Sequence, residues 1–98
     1  MKLALHPAVR RELRDVIDRY DRLSDQAGDR FIEEVNTAVQ RIKADPEHFH
    51  FITERFRRCN LKRFPYNVVF EVHGSTIRVA AVRHHSRHPD FGLRRQWR

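Results

Sequence analysis

Three absences frame this 98-residue sequence. Cys59 is its only cysteine, so no internal disulfide can staple the fold and stability has to come from a buried core. A chain of this size buries roughly two thirds of the surface it exposes when unfolded, which is enough to fold unaided. The expectation is therefore one domain over residues 1–98. No stretch approaches the roughly 20 apolar residues that span a bilayer, and no apolar run near the N-terminus resembles a secretory leader. A soluble, cytoplasmic protein without a membrane partner is expected.

The third absence is of acid after Glu54. Residues 1–54 carry nine Lys and Arg against eleven Asp and Glu, a net −2, whereas residues 55–98 carry eleven against two, a net +9. The overall +7 thus belongs wholly to the second half. Charge so segregated suggests an acidic partner, either nucleic acid or an acidic protein segment.

What is present divides at the same place. Lys2 to Leu5 predict a short strand ended by Pro7, whose fixed φ suits the first turn of a helix. Val9, Leu13, Val16, Ile17 and Tyr20 then recur on one helical face, with Arg10, Arg11, Arg14, Asp15, Asp18 and Arg19 opposite, which predicts an amphipathic helix ending near Leu23. Ser24 and Asp25 are expected N-caps of a second helix, with Phe31, Val35, Ala38, Val39 and Ile42 as its apolar stripe and Asp45-Pro46 as its end. The short link implies an antiparallel helical hairpin. The segment Glu47 to Phe51, EHFHF, reads as a loop in which His48 and His50 pack and do not bind metal.

From Arg57 onward β-branched and aromatic residues alternate with polar ones. Strands are expected at Arg58 to Phe64, Tyr66 to His73 and Thr76 to Arg83, with Gly74-Ser75 as a two-residue type II′ turn. That turn sets His73 opposite Thr76, Val72 opposite Ile77, Glu71 opposite Arg78, Phe70 opposite Val79 and Val68 opposite Ala81. Val68, Phe70, Val72, Ile77, Val79 and Ala81 become the core face, and Glu71 with Arg78 an ion pair on the other. The fold class expected is α+β: an N-terminal strand, then an antiparallel two-helix hairpin packed on a mainly antiparallel sheet of about four strands.

Beyond Ala81 the last strand is expected to leave the core, so that Arg83, His84, His85, Arg87 and His88 emerge near Lys62 and Arg63, beside the kink at Pro65. A metal site in HHSRH lacks a supporting cysteine, and neither metal nor cofactor is expected. Trp97, in the basic tail LRRQWR, packs either on the sheet or against a partner.

The order strand, two helices, three strands, together with LKRFPYNVVFEV and IRVAAVRHHSRHP, resembles the RelE/ParE superfamily of bacterial type II toxin-antitoxin toxins, and its FPY and His-x-x-Arg features resemble the ParE-like members. The resemblance spans nearly the whole chain. It implies a growth-inhibiting toxin held inactive by a cognate antitoxin, and one of two targets: DNA gyrase, which is poisoned, or the ribosome, on which mRNA is cleaved. Fold alone does not choose between them. In RelE-like nucleases the resemblance implies a basic cluster completed by an arginine and a C-terminal tyrosine, positions that here carry Asn67 and Phe91. His84 and Arg87 are the candidate catalytic residues if the chain is such an endoribonuclease, with His85 or His88 as other proton carriers. For gyrase poisoning a binding surface suffices, and Lys62, Arg63, Arg83, His85 and His88 are its candidate target-binding residues. A third class, a non-catalytic nucleic-acid-binding module, would use Arg57, Arg58, Lys62 and Arg63 on phosphates, although neither helix has a uniformly basic face.

Overall fold

Both predicted helical stripes and the predicted hairpin are realised around a single sheet. The computed structural model describes residues 1–97; Arg98, the last residue of the basic tail, lies outside them. Strand β1 (Lys2–Leu5) leads into helix α1 (Pro7–Leu23) and helix α2 (Ala27–Ala44). A 3₁₀ turn (Pro46–His48) precedes β2 (Arg57–Asn60), β3 (Tyr66–His73) and β4 (Thr76–His84). The sheet order is β1-β4-β3-β2, with β1 parallel to β4 and the other pairs antiparallel. The architecture is α+β, two helices on one face of a mainly antiparallel four-stranded sheet.

Pro7 occupies the start of α1, where a missing N–H costs nothing, and the His6 side chain caps the helix by accepting the Ala8 N–H at 3.1 Å. The second cap differs from expectation. Gln26 precedes α2 in the left-handed region at φ 68° and its side chain makes no cap bond, while Ser24 ends α1 by donating its N–H to Tyr20 O. The orphan amide of Gly28 is met by the Asp21 carboxylate at 3.0 Å, reaching across from α1. A Cβ on Gly28 would fall 2.3 Å from that carboxylate and 2.9 Å from Ile17, so glycine permits both the close helix crossing and the cap.

Val9 and Val16 of α1 and Phe31, Val35, Ala38 and Ile42 of α2 bury against Val68, Phe70, Ile77, Val79 and Val82 of the sheet. Phe70 and Val79 are 0% and 1% exposed. Phe49, within the segment read as a loop, closes the end of this core, its ring edge-on to Phe70 at 5.8 Å, with His48 edge-on to Phe49.

The hairpin register holds from His73–Thr76 to Phe70–Val79, and Gly74 has φ 61°, as its turn requires. A bulge between Val69 and Phe70 then shifts the pairing, so that Val69 faces Ala81 and Val68 faces Val82. One extra residue sends Ala81 to the far face and brings Val82 into the helix-side core. The strand therefore does not leave the core at Ala81: Val82 and Arg83 are both buried. Val72, expected inside, is 40% exposed, because it lies near the hairpin tip. Glu71 does sit opposite Arg78, yet its carboxylate pairs with Arg55 at 2.9 Å, and Arg78 instead lies over Trp97.

Strand β2 also stops early, at Asn60 and not at Phe64. Leu61 turns inward, and the backbone N–H groups of Lys62 and Arg63 donate to the Glu34 carboxylate of α2, the second at 2.8 Å. Donors given to a helix side chain are lost to the sheet ladder.

The face away from the helices has its own small cluster of Phe56, Val69, Ala80 and Ala81, roofed by Ile52, Leu93 and Trp97. The segment after β4 folds back over the sheet to supply that roof. Arg83 donates to Pro89 O at 2.7 Å and Phe91 O at 3.1 Å. Arg95 donates to Ala80 O at 2.9 Å and pairs with Glu12, and His6 Nε2 bonds Gln96 O at 2.9 Å.

Candidate functional site

Strand β1 covers only the first part of β4, Thr76 to Val79: its last register pair is Leu5–Val79, followed by the bond from His6 N to Val79 O. The outer edge of β4 beyond that point faces α1 across a cavity of about 490 Å³. Glu12, Asp15, Val16 and Arg19 form the helical wall, Tyr66, Val82, Arg83 and His84 the sheet wall, and Ser86, Arg87 and Phe91 the wall from the C-terminal segment.

The edge is closed in part by side chains. Val82 N–H donates to Glu12 Oε1 at 3.3 Å, and the other oxygen of Glu12 takes Arg95. One sheet-edge amide and a helix are thereby tied to the tail by one carboxylate. Arg19 Nη2 donates to the Tyr66 hydroxyl at 2.8 Å, and the Tyr66 ring packs edge-on against Phe31 and His84. The guanidinium groups of Arg87 and Arg95 lie 4.8 and 5.1 Å from the centroid of the Phe91 ring.

The histidines have a determined polarity. His84 Nδ1 accepts the Ser86 N–H at 3.0 Å and lies 2.8 Å from Ser86 Oγ, while His88 Nδ1 accepts the Asp90 N–H at 3.1 Å. An amide N–H needs a lone pair opposite it, so in the neutral rings the proton resides on Nε2. Both side chains present donors to their surroundings. With the arginines they form a donor-rich edge suited to anionic or carbonyl acceptors.

Of the sequence-derived candidates, Arg83, His84 and Arg87 come together around this cavity. Arg83 is only 7% exposed, with its guanidinium committed to the tail carbonyls. Burial, and after it the Arg58 charge, draws its pKa below the ordinary arginine value, with Asp90 acting the other way. His85 and His88 are exposed beside the cavity, and His85 N–H donates to Pro65 O at 2.8 Å. Lys62 and Arg63 lie elsewhere, fastened to α2 by Glu34. Arg63 lines a second cavity with Phe64, Arg30, Glu33, Glu34 and Thr37.

Glu12, Asp15, Arg19 and Ser86 were not singled out by the sequence, and Tyr66 entered only through the FPY resemblance. On a helical wheel the first three belong to a solvated face, and only their proximity to Val16 hints that they border the core. Asn67, in register with both Asn60 and Arg83 on the face away from the helices, is 3% exposed and its Oδ1 has no partner among the described residues.

Comparison with known proteins places this arrangement in context. A family model, the ParE toxin of the type II toxin-antitoxin system parDE, matches residues 3–89. No curated protein matches the chain. Among solved structures, a chain of the chromosomal ParDE TA system from P. aeruginosa superposes with a TM-score of 0.76 at 17% identity, covering 86% of this chain and 95% of that one. At that identity the likeness is one of fold.

Proposed function

Because the chain belongs to the ParE toxin family of type II toxin-antitoxin systems, we propose that it arrests growth by binding and poisoning DNA gyrase in the cytoplasm, acting as one toxin domain, and that a cognate antitoxin neutralises it. The observation that carries the choice of gyrase is the polarity of the basic edge. His84 and His88 spend Nδ1 on backbone amides, Asn67 stands where a nuclease has arginine, and Phe91 offers no phenol. RNA cleavage through the 2′ hydroxyl calls for a base, a cation for the phosphorane and an acid for the leaving oxygen. An inhibitor needs only a complementary surface, and the edge of donors around Arg87 meets that requirement.

The test is direct. Purified protein should inhibit gyrase supercoiling or trap cleaved DNA, and should leave ribosome-bound mRNA intact. In a folded Arg87→Ala variant gyrase inhibition should fall by about tenfold or less, as for one contact among several. Ribosome-dependent mRNA cleavage that drops by about 10²-fold or more in the same variant would instead assign the chain to the endoribonucleases. Co-expression with the product of the adjacent reading frame should restore growth, and equal growth arrest with and without it would refute neutralisation.

A further inference from the structure

The cavity between α1 and the free edge of β4 has a charge pattern selective beyond being basic. The Glu12 charge is matched internally by Arg95. Arg83 directs its guanidinium to Pro89 and Phe91 carbonyls. That leaves Arg19 and Arg87 as the cations available to a ligand, together with Nε2–H of His84, and Asp15 as the one carboxylate on the rim without an ion pair among the described residues. Tyr66 accepts from Arg19 and keeps its own O–H to donate inward. The set is one of convergent donors beside a single acceptor.

Two kinds of anion present themselves, and the cavity discriminates between them. A phosphodiester chain brings one charge per nucleotide and bases that seek aromatic faces. Here the Phe91 ring already carries two guanidinium groups, the Tyr66 ring is buried edge-on among Tyr20, Phe31 and His84, and Asp15 would repel the neighbouring phosphates. An acidic side chain on a peptide brings one charge only, and the peptide's own N–H groups give Asp15 a donor.

We infer that this cavity receives an Asp or Glu side chain of the antitoxin, its carboxylate held by Arg19, Arg87 and His84 Nε2–H, with a peptide N–H beside it donating to Asp15. The inference rests on the reading that an antitoxin neutralises this chain, and it names where and by what chemistry one anchor is bound.

The experiment uses the full chain and a synthetic peptide covering the C-terminal half of the adjacent reading frame's product, with a second series in which each Asp or Glu is changed to Asn or Gln. Binding is followed calorimetrically for wild type, Arg87→Gln, the Arg19→Gln/Arg87→Gln double variant, and Lys43→Gln, exposed on α2, as a basic control outside the cavity; circular dichroism establishes that each is folded. Arg87→Gln should weaken binding by about tenfold and the double variant further, with Lys43→Gln changing it by less than about threefold. At one acidic position of the peptide, amidation should matter in wild type and cease to matter in the Arg87→Gln background, the mark of a direct pair. Undiminished binding by the folded double variant overturns the inference and leaves neutralisation standing. Competition of the peptide by a 20-base-pair duplex, lost in the double variant, overturns it in favour of a phosphodiester site. Failure of the wild type to bind the peptide or the whole partner refutes the neutralisation reading itself, and the inference with it.

Discussion

The two faces of the sheet are covered by different physics. On the helical side Phe31, Ile42, Phe70, Ile77 and Val79 are almost fully buried, and α1 and α2 hold chiefly by apolar area. On the other side the cluster is small, built on Val69, Ala80 and Ala81, and the segment that roofs it is pinned by charged side chains: Arg83 and Arg95 to carbonyls, Arg95 to Glu12, and Arg78 over Trp97. One face resists salt and forgives no volume change. The other is directional and depends on a few polar contacts, and those contacts also build a wall of the candidate site.

The largest expected effect breaks the apolar face. Phe70→Ala should cost about 3–5 kcal/mol by urea unfolding, since it removes a fully buried ring from a closed core. A loss below about 1 kcal/mol would mean that the helical face is not the main source of stability.

Next comes the strap side, where backbone conformation and packing can be separated. Gly92 has φ 84°, and a Cβ there would lie 2.6 Å from Ala81 Cβ; Gly74 has φ 61° with nothing within 4 Å. Both carry the left-handed strain and only Gly92 adds a clash, so Gly92→Ala should cost about 2–3 kcal/mol and Gly74→Ala about 1. Equal losses would show that the tail yields to the methyl without consequence.

Glu12→Gln sharpens the comparison further. The amide still accepts from Val82 N–H, while the charge that holds Arg95 is gone, at a site where both side chains are under a fifth exposed. A loss of about 1–2 kcal/mol is expected, with faster hydrogen exchange over residues 89–97 and unchanged protection in the helices. Uniform loosening of the whole molecule would contradict a separate, polar closure.

The smallest effect concerns Cys59, packed beneath α2. Burial pushes its thiol above the ordinary value, with the nearby Arg41 charge opposing. A folded pKa above the unfolded one favours the folded state while the thiol is protonated. That contribution is complete below the unfolded value and disappears as pH rises through the folded one. Native protein should therefore react slowly with a thiol reagent at neutral pH, and raising the pH past about 9 should lower its stability slightly more than that of Cys59→Ser. Fast labelling without unfolding would contradict the burial.

Much of this was readable in the chain because it depends on local periodicity. The stripe Val9–Val16–Tyr20, the break at Asp45-Pro46, and the Gly74-Ser75 turn need only neighbours a few residues away, and β1, α1, the end of α2 and β3 lie where those signals place them. The misses share a different cause. A bulge at Val69/Phe70 has no residue signature in FEV or RVA, yet one extra residue moved Ala81 off the core and Val82 onto it. Likewise β2 stopped short because Glu34, more than twenty residues earlier, took the amides of Lys62 and Arg63. The candidate site was half legible: Arg83, His84 and Arg87 announced themselves as charge after a strand, whereas Asp15 and Arg19 looked like any solvated helix face.

By itself the sequence determined the class of fold, the hairpin register near its turn, the partition of charge and the family, since patterning, turn chemistry and composition are carried by residue types. Only the tertiary structure decided which cations share a cavity, which are spent on the tail, and which nitrogen of His84 and His88 accepts a backbone amide. Those are set by where distant side chains and backbone amides meet, and a buried donor or acceptor is satisfied by whatever the fold brings to it.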